Sequence, residues 1–145
     1  MNPKLPLSVL VVVHTAEREV LVLERALRRG LWQSVTGSVD RLDEPLEAAA
    51  LREVAEETGI AAGAGRLERS NVTYTFEIWQ QWRHRFGPGV THNVEHAFTL
   101  QLPRRRPVRL APEEHLAFQW LPWREAAARC FSWSNRDAIH LLGER

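Results

Sequence analysis

The sequence contains a single cysteine, Cys130, among its 145 residues. One cysteine excludes an intramolecular disulfide and a cysteine-rich zinc site. The six histidines do not have the spacing of a metal site, and an isolated histidine is usually structural or solvated. The sequence therefore gives no indication of a metal centre built on sulfur or imidazole ligands.

Long apolar runs are also missing. The longest candidate, residues 5–13, is too short to cross a bilayer and lacks the pattern of a signal peptide. No repeat, low-complexity tract or linker divides the chain. We therefore expect a cytoplasmic protein without a membrane partner, folded as one domain over residues 1–145.

Charge of one sign is not in excess, since the formal net charge is +1. This balance does not steer the protein towards nucleic acid or membranes. The run PRRRP at residues 103–107 is a weak nucleic-acid signal, and we interpret it as a solvated loop. No nucleic-acid partner is predicted, and the sequence does not determine an oligomeric state.

Hydrophobic periodicity predicts a mixed α/β domain with helices packed on a central sheet. A buried strand is expected at 7–13, paired in a hairpin with 20–23. Further strands are expected at 71–79, at 91–102 and just after Glu113, Glu114 and His115. Helices are expected at 123–130 and 134–142, the second capped by Ser134 or Asn135.

The most informative stretch is residues 37–60, which read GSVDRLDEPLEAAALREVAEETGI. It predicts a helix with Asp43 as cap, Pro45 in the first turn and Gly59 as the stop. Glu53, Glu56 and Glu57 then share one arc of the helix, where like charges repel. A hard divalent cation would convert this repulsion into binding, although a solvated acidic face remains the alternative.

The spacing of this stretch resembles the Nudix box, whose pattern is G-x5-E-x7-R-E-U-x-E-E-x-G-U, with U an aliphatic residue. The matching residues are Gly37, Glu44, Arg52, Glu53, Val54, Glu56, Glu57, Gly59 and Ile60. Six residues rather than five separate Gly37 from Glu44. We place the insertion in the loop at 40–43 and keep the helix register from Glu44 onwards.

Four further stretches resemble the bacterial dihydroneopterin triphosphate pyrophosphatases, a family of Nudix hydrolases that acts in folate synthesis. They are WQSVTGSV at 32–39, RHRFGPGVT at 83–91, EEHLAFQWL at 113–121 and SWSNRDAI at 132–139. The resemblance implies a Nudix fold, in which a mixed central β-sheet is sandwiched between α-helices. It also implies hydrolysis of dihydroneopterin triphosphate to the monophosphate and pyrophosphate, with Mg²⁺ as cofactor or Mn²⁺ in its place.

The same resemblance implies roles for individual residues. It makes Glu53, Glu57 and Glu114 metal ligands, with Arg52 and Glu56 as further catalytic residues and Glu44 in support. The general base is left open among Glu56, Glu57 and Glu114. The residues that it implies for substrate binding are Lys4, Arg25, Thr36, Phe76, Trp79, Ser132 and Asn135.

Some interpretations stay open on sequence alone. The loop residues Arg83, His84 and Arg85 either contact phosphates or are solvated. Each tryptophan either belongs to the core or contacts a ligand.

Two rival functions follow from the same box. One is a Nudix pyrophosphatase for dATP or another nucleoside triphosphate, and the other is a non-catalytic Nudix-fold sensor.

Overall fold

The computed structural model of the protein describes residues 2–145. The chain forms seven strands and three α-helices: β1 (Leu7–Thr15), β2 (Glu19–Arg25), β3 (Trp32–Gln33), β4 (Val35–Ser38), α1 (Leu46–Thr58), β5 (Arg66–Glu77), β6 (His92–Leu102), β7 (His115–Pro122), α2 (Trp123–Arg129) and α3 (Trp133–Gly143). Two short 3-10 segments lie at Ala62–Ala64 and Gln80–Arg85. Within residues 2–145, no helix has the length and apolar character needed to cross a membrane.

All seven strands form one mixed sheet in the order β3-β2-β1-β6-β5, with β4 paired to β1 and β7 paired to β2. β1 runs parallel to β6 and antiparallel to β2 and β4. β1 pairs with β2 only at His14 and Val20, and β4 occupies its other half. β2 therefore diverges towards β7, and its end at Arg25 opens into the same cavity as Thr36 of β4.

Helices cover both faces of the sheet, as predicted. On one face Val9 and Val11 of β1 pack in a cluster with Val54 of α1. On the other face Leu10 packs with Ile139 of α3 and with residues of α2. Because β1 is buried on both faces, its sequence is continuously apolar rather than alternating. The predicted Nudix architecture of a sheet between helices is confirmed.

The start of α1 differs from the prediction. The N-cap position is Pro45, without a side-chain cap, and Leu46 is the first helical residue. Asp43 accepts instead from Arg41 Nε at 3.0 Å, so its carboxylate is not available to the helix. The end of the helix is as predicted, since Gly59 closes it with a left-handed φ of 74°.

The predicted cap of α3 is also wrong. Ser132 is the N-cap, and its Oγ accepts from the backbone N–H of Asn135 at 3.3 Å. Ser134 and Asn135 therefore lie inside the first turn, where both side chains are buried. Three polar residues flank Trp133, namely Ser132, Ser134 and Asn135, and each could have served as the cap. The last two are buried, and Ser132 is the one that caps the helix.

The start of β5 and the loop that follows it also differ from the prediction. β5 begins at Arg66 rather than at Asn71, which has a φ of 57° in an irregular stretch between Arg69 and Thr73. The predicted loop after β5 contains the 3-10 segment Gln80–Arg85. This segment contributes Trp82 and Arg85 to the lining of a large cavity.

Candidate active site

A cavity of about 1450 Å³ opens where β2, β4, α1 and the start of α3 meet. Every residue that the sequence predicted for catalysis or substrate binding lines it. They are Lys4, Arg25, Thr36, Arg52, Glu53, Glu56, Glu57, Phe76, Trp79, Glu114, Ser132 and Asn135. The fold thus brings together residues that are spread over most of the chain.

The acidic part of the cavity comes from α1. Glu57 is 2% exposed and Glu53 is also buried, whereas Glu56 lies on the solvent side of the helix. Burial raises the pKa of Glu57 well above its usual value, and the neighbouring Glu53 carboxylate raises it further. Burial raises the pKa of Glu53 in the same direction, against the opposing effect of Arg52. Two buried acids one turn apart are thus held at an electrostatic cost that a cation would relieve.

Arg52 fixes the outer side of this acidic pair. Its Nε and Nη2 donate to the two oxygens of Glu44 at 3.0 and 3.1 Å, and its Nη1 donates to Glu53 Oε1 at 2.8 Å. Nη1 also contacts Glu56 at 3.3 Å, which is the predicted pair one turn apart. Because one guanidinium orders Glu44 and Glu53 together, the loop before α1 is tied to the site.

The extra loop residue does not disturb this arrangement. Glu44 keeps its contact with Arg52, and its Oε1 also accepts from the backbone N–H of Asp40 at 2.8 Å. The residues between them, Arg41 to Asp43, are exposed. The insertion is therefore absorbed in a surface turn, where the sequence placed it.

Gly37 of β4 lies directly against Glu53. A Cβ on Gly37 would overlap the Glu53 carboxyl group. The backbone of Thr36 hydrogen-bonds to Glu57. Because Gly37 has no side chain, the Glu53 carboxyl group can pack against β4.

Glu114 approaches α1 from the segment before β7. One ligand atom each from Glu57, Glu114 and His115 lies within 4.8 Å of the others. The Oε1 atom of Glu57 is buried without a hydrogen-bond partner among the described residues. An orphaned carboxylate oxygen beside a second carboxylate fits an oxygen-binding divalent cation.

His115 lies beside these two carboxylates, although sequence spacing gave no metal cluster that included a histidine. Burial and the charge of Arg25 lower the pKa of His115 to about 4, so the imidazole is neutral. Its Nε2 lies 3.8 Å from Glu57 Oε1, and this contact is not an ion pair. His115 could not be found from spacing, since Glu57 is distant in sequence.

Three cationic residues, Lys4, Arg25 and Arg85, line the same cavity as the carboxylates and are called the cationic wall. Lys4, the only lysine in the chain, donates its backbone N–H to Arg85 O at 2.8 Å, which joins the amino-terminal segment to the loop after β5. Burial lowers the pKa of both Lys4 and Arg25, and the charge of Arg85 lowers each of them further. Mutually repelling cations that line one cavity form a site suited to a polyanion.

Arg25 is held in place by neutral contacts. Its Nη1 donates to Gln33 Oε1 at 3.1 Å, and its guanidinium lies 4.7 Å from the centre of the Trp82 ring. Its buried Nε has no partner among the described residues. The side chain is therefore oriented without being neutralised, which leaves its charge for a ligand.

Aromatic rings form the next part of the wall. Trp79 stacks on Trp82 with ring centres 4.8 Å apart and contacts Phe131. Trp133 is 53% exposed and meets Tyr74 edge to face. These exposed tryptophans border the cavity, so the core interpretation does not hold for Trp79 and Trp133.

Asn135 has a structural task. Its Oδ1 accepts from the backbone N–H of Ser34 at 2.7 Å, and its Nδ2 donates to Ser34 Oγ at 3.0 Å. This pair ties the start of α3 to the segment between β3 and β4. Its predicted role in contacting substrate stays a prediction.

Comparison with known proteins agrees with this architecture. The model of the NUDIX domain matches residues 4–142. The chain belongs to the NUDIX family. The predicted membership is confirmed, and with it the assignment to a family of hydrolases.

Individual relatives of this Nudix chain are similar over nearly its whole length. Dihydroneopterin triphosphate diphosphatase of Escherichia coli K12 is 45% identical over 94% of this chain and 91% of that protein. The Haemophilus influenzae protein of the same name is 35% identical over 91% of this chain and 84% of that protein. The solved E. coli dihydroneopterin triphosphate pyrophosphohydrolase superposes with a TM-score of 0.89, with 44% identity over 97% of this chain and 96% of that one.

Sequence reasoning also missed other polar residues of the Nudix cavity, among them Gln33, Asn93 and Glu95. Asn93 and Glu95 are alternate residues of β6, and both are buried. The signal was present, because polar residues at the inward positions of an alternating strand need an explanation.

Proposed function

We propose that this Nudix hydrolase cleaves dihydroneopterin triphosphate into dihydroneopterin monophosphate and pyrophosphate. The observation that carries the proposal is the meeting, in one cavity, of the Glu53–Glu57 pair with the cationic wall of Lys4, Arg25 and Arg85. Carboxylates that suit a cation and cations that suit a polyanion are the two halves of a triphosphate site. The relatives that bear the name of this activity support the choice of substrate.

A divalent metal fits the acidic half of the site. Glu53, Glu57 and Glu114 would hold Mg²⁺, or Mn²⁺ in its place, and His115 lies beside them. Both ions prefer oxygen ligands, and the partnerless Oε1 of Glu57 supplies one. When bound, such an ion neutralises phosphate oxygens and acidifies the attacking water.

The remaining residues bind and orient. Lys4, Arg25 and Arg85 hold the phosphates, and an arginine binds two phosphate oxygens at once. Arg52 keeps the Glu53 carboxylate in position through its 2.8 Å contact. The base that takes a proton from water is one of Glu56, Glu57 and Glu114, all of which line the cavity.

The aromatic wall receives the ring of the substrate. Phe76, Trp79 and Trp133 line the cavity beyond the cations, and a flat pteridine stacks on such surfaces. Thr36 and Ser132 add hydroxyl groups to the same wall. A role in folate synthesis and a cytoplasmic location belong to the same proposal.

Steady-state release of pyrophosphate with Mg²⁺ tests the proposal. Dihydroneopterin triphosphate is compared with the four deoxynucleoside triphosphates, with Glu53→Gln as the inactive control. A preference of at least about a hundredfold in kcat/KM, roughly 2.7 kcal/mol in transition-state binding, supports the pteridine substrate. A flat profile would favour a general nucleoside triphosphate pyrophosphatase, and binding without turnover on any of them would favour the sensor.

A further inference from the structure

The lining of the cavity includes two polar residues to which the proposed function assigns no role. Asn93 and Glu95 are alternate residues of β6, so their side chains lie on one side of the sheet about 7 Å apart along the strand. They are 6% and 5% exposed, and both line the cavity. Their side-chain hydrogen bonds join Glu95 to Ser134 of α3 and Asn93 to Ser8 of β1, and not to the carboxylates of α1.

The hydrogen bonds of these two residues leave part of their acceptor capacity unused. Asn93 Nδ2 donates to Ser8 Oγ at 2.8 Å, and the Oδ1 of the same amide is buried without a partner among the described residues. Ser134 Oγ donates to Glu95 Oε1 at 2.9 Å. Within residues 2–145, no lysine, arginine or histidine forms an ion pair with Glu95.

This arrangement differs from the proposed phosphate and metal sites, since the described group of side chains that could hold a metal ion contains neither Asn93 nor Glu95. A buried amide oxygen without a partner is rare in folded proteins and calls for a donor. The cationic residues that would attract phosphate lie elsewhere in the cavity, at Lys4, Arg25 and Arg85. The missing partner is therefore a neutral group that is rich in N–H donors.

A 2-amino-4-oxopyrimidine ring presents such donors, because its amino group and its ring N–H lie side by side on one edge. We propose that Glu95 and Asn93 form the subsite that binds this edge of a pterin ring, in which the Glu95 carboxylate accepts from the amino group and the ring N–H while Asn93 Oδ1 accepts from a further N–H. The inference rests on the proposed function and names the residues that select its substrate.

Burial supports this assignment. It raises the pKa of Glu95 to about 7, against the single hydrogen bond from Ser134. A carboxylate that is buried without a counter-charge gains much from two added N–H donors. Hydrogen bonds from the bound ring thus offset the free-energy cost of burying the unpaired carboxylate.

Adenine does not match the subsite, because its exposed edge alternates a donor and an acceptor. A glutamine, which also carries one donor and one acceptor, pairs with adenine through two hydrogen bonds. The Glu95→Gln substitution should therefore convert a subsite that prefers pterin and guanine into a subsite that prefers adenine. Sites built on hydrogen bonds to a substrate reject analogues that lack the matching groups.

The test measures binding without turnover. Fluorescence titration in EDTA gives the Kd of dihydroneopterin triphosphate, dGTP and dATP for the wild type, Glu95→Gln and Asn93→Ala. Glu68→Gln is the matched control, since this half-exposed residue of β5 pairs with Arg66 and lies outside the cavity. We expect Glu95→Gln to weaken the pterin and dGTP about tenfold to a hundredfold while dATP binds equally or more tightly. Asn93→Ala should weaken the pterin about tenfold.

The outcomes separate the subsite from the proposed function. Loss of pterin binding in Glu95→Gln supports the subsite even if the wild type shows no hydrolysis of this substrate with Mg²⁺. Equal pterin affinity in wild type and Glu95→Gln overturns the subsite, even if the wild type hydrolyses dihydroneopterin triphosphate with high preference. A parallel loss for dATP also overturns it, because that pattern belongs to a structural role. Asn93→Ala provides the second measurement if Glu95→Gln does not fold.

Discussion

The backbone of Gly37 lies against the carboxyl group of Glu53, in the space that a side chain would occupy. The glycine has no left-handed φ, so alanine would not strain the backbone there. The added methyl group would instead displace the Glu53 carboxylate, which is the movable partner in this contact. The glycine of the box thus has a physical meaning here, because it leaves room for the Glu53 carboxylate.

We predict that Gly37→Ala lowers pyrophosphate release about a hundredfold, because small displacements of a catalytic group have effects of this size. The free energy of unfolding should change by less than about 1 kcal/mol. Gly63→Ala is the matched control, since a Cβ there meets nothing within 4 Å. Full activity in Gly37→Ala would show that the position of Glu53 against β4 does not matter for turnover.

A second prediction concerns Arg52, which holds Glu44 with two hydrogen bonds and Glu53 with a third. Lysine preserves the charge but cannot donate in these directions at once. We expect Arg52→Lys to lower kcat about tenfold to a hundredfold with a small change in KM, because the phosphate contacts remain. Arg69→Lys, which affects an exposed pair with Glu47, is the control and should keep wild-type kinetics.

A result in which Arg52→Lys changes KM alone would contradict this interpretation of Arg52. It would place the guanidinium in direct contact with substrate rather than behind Glu53. Comparison of kcat and KM for both variants on one substrate therefore decides between the two roles.

A third prediction separates Glu114 from its neighbour. Glu114 is exposed, and its backbone N–H is held by Ala111 O at 2.9 Å, so the fold does not depend on its side chain. We expect Glu114→Ala to reduce activity at least about a hundredfold and to raise the Mg²⁺ concentration needed for half-maximal rate, with an unchanged melting temperature. Glu113→Ala should behave as the wild type. If Glu113→Ala is instead the inactive variant, the third carboxylate of the site has been misassigned.

The α1 part of the site could be predicted from sequence because it lies within one helix. Local spacing places Arg52, Glu53 and Glu57 relative to one another before any tertiary structure is known. The predicted roles of these residues stay predictions, but their meeting in one cavity follows from the structure. The helix cap was predicted less well, since Asp43 could pair with Arg41 as readily as with a backbone N–H.

The remainder of the cavity depends on pairing between distant strands. Lys4 meets Arg85 because the amino-terminal segment joins the loop after β5, and no local pattern contains that contact. His115 reaches Glu57 only when β7 pairs with β2. The sequence shows Asn93 and Glu95 as polar residues in a largely apolar strand. The face of the sheet on which they lie could not be predicted, because it depends on how the strand pairs.

The final prediction uses Glu95 in the free protein, where burial raises its pKa to about 7. Because the folded pKa lies above that of the unfolded chain, the folded state binds more protons between about pH 4.5 and pH 7, and stability falls as pH rises through this window. Glu95→Gln has no proton to lose but keeps an acceptor for Ser134. Its advantage in free energy of unfolding over the wild type should therefore grow by about 2–3 kcal/mol between pH 5 and pH 8. Urea denaturation at these two pH values measures the difference, with Glu68→Gln as control, and a constant offset between variant and wild type would show that Glu95 titrates normally.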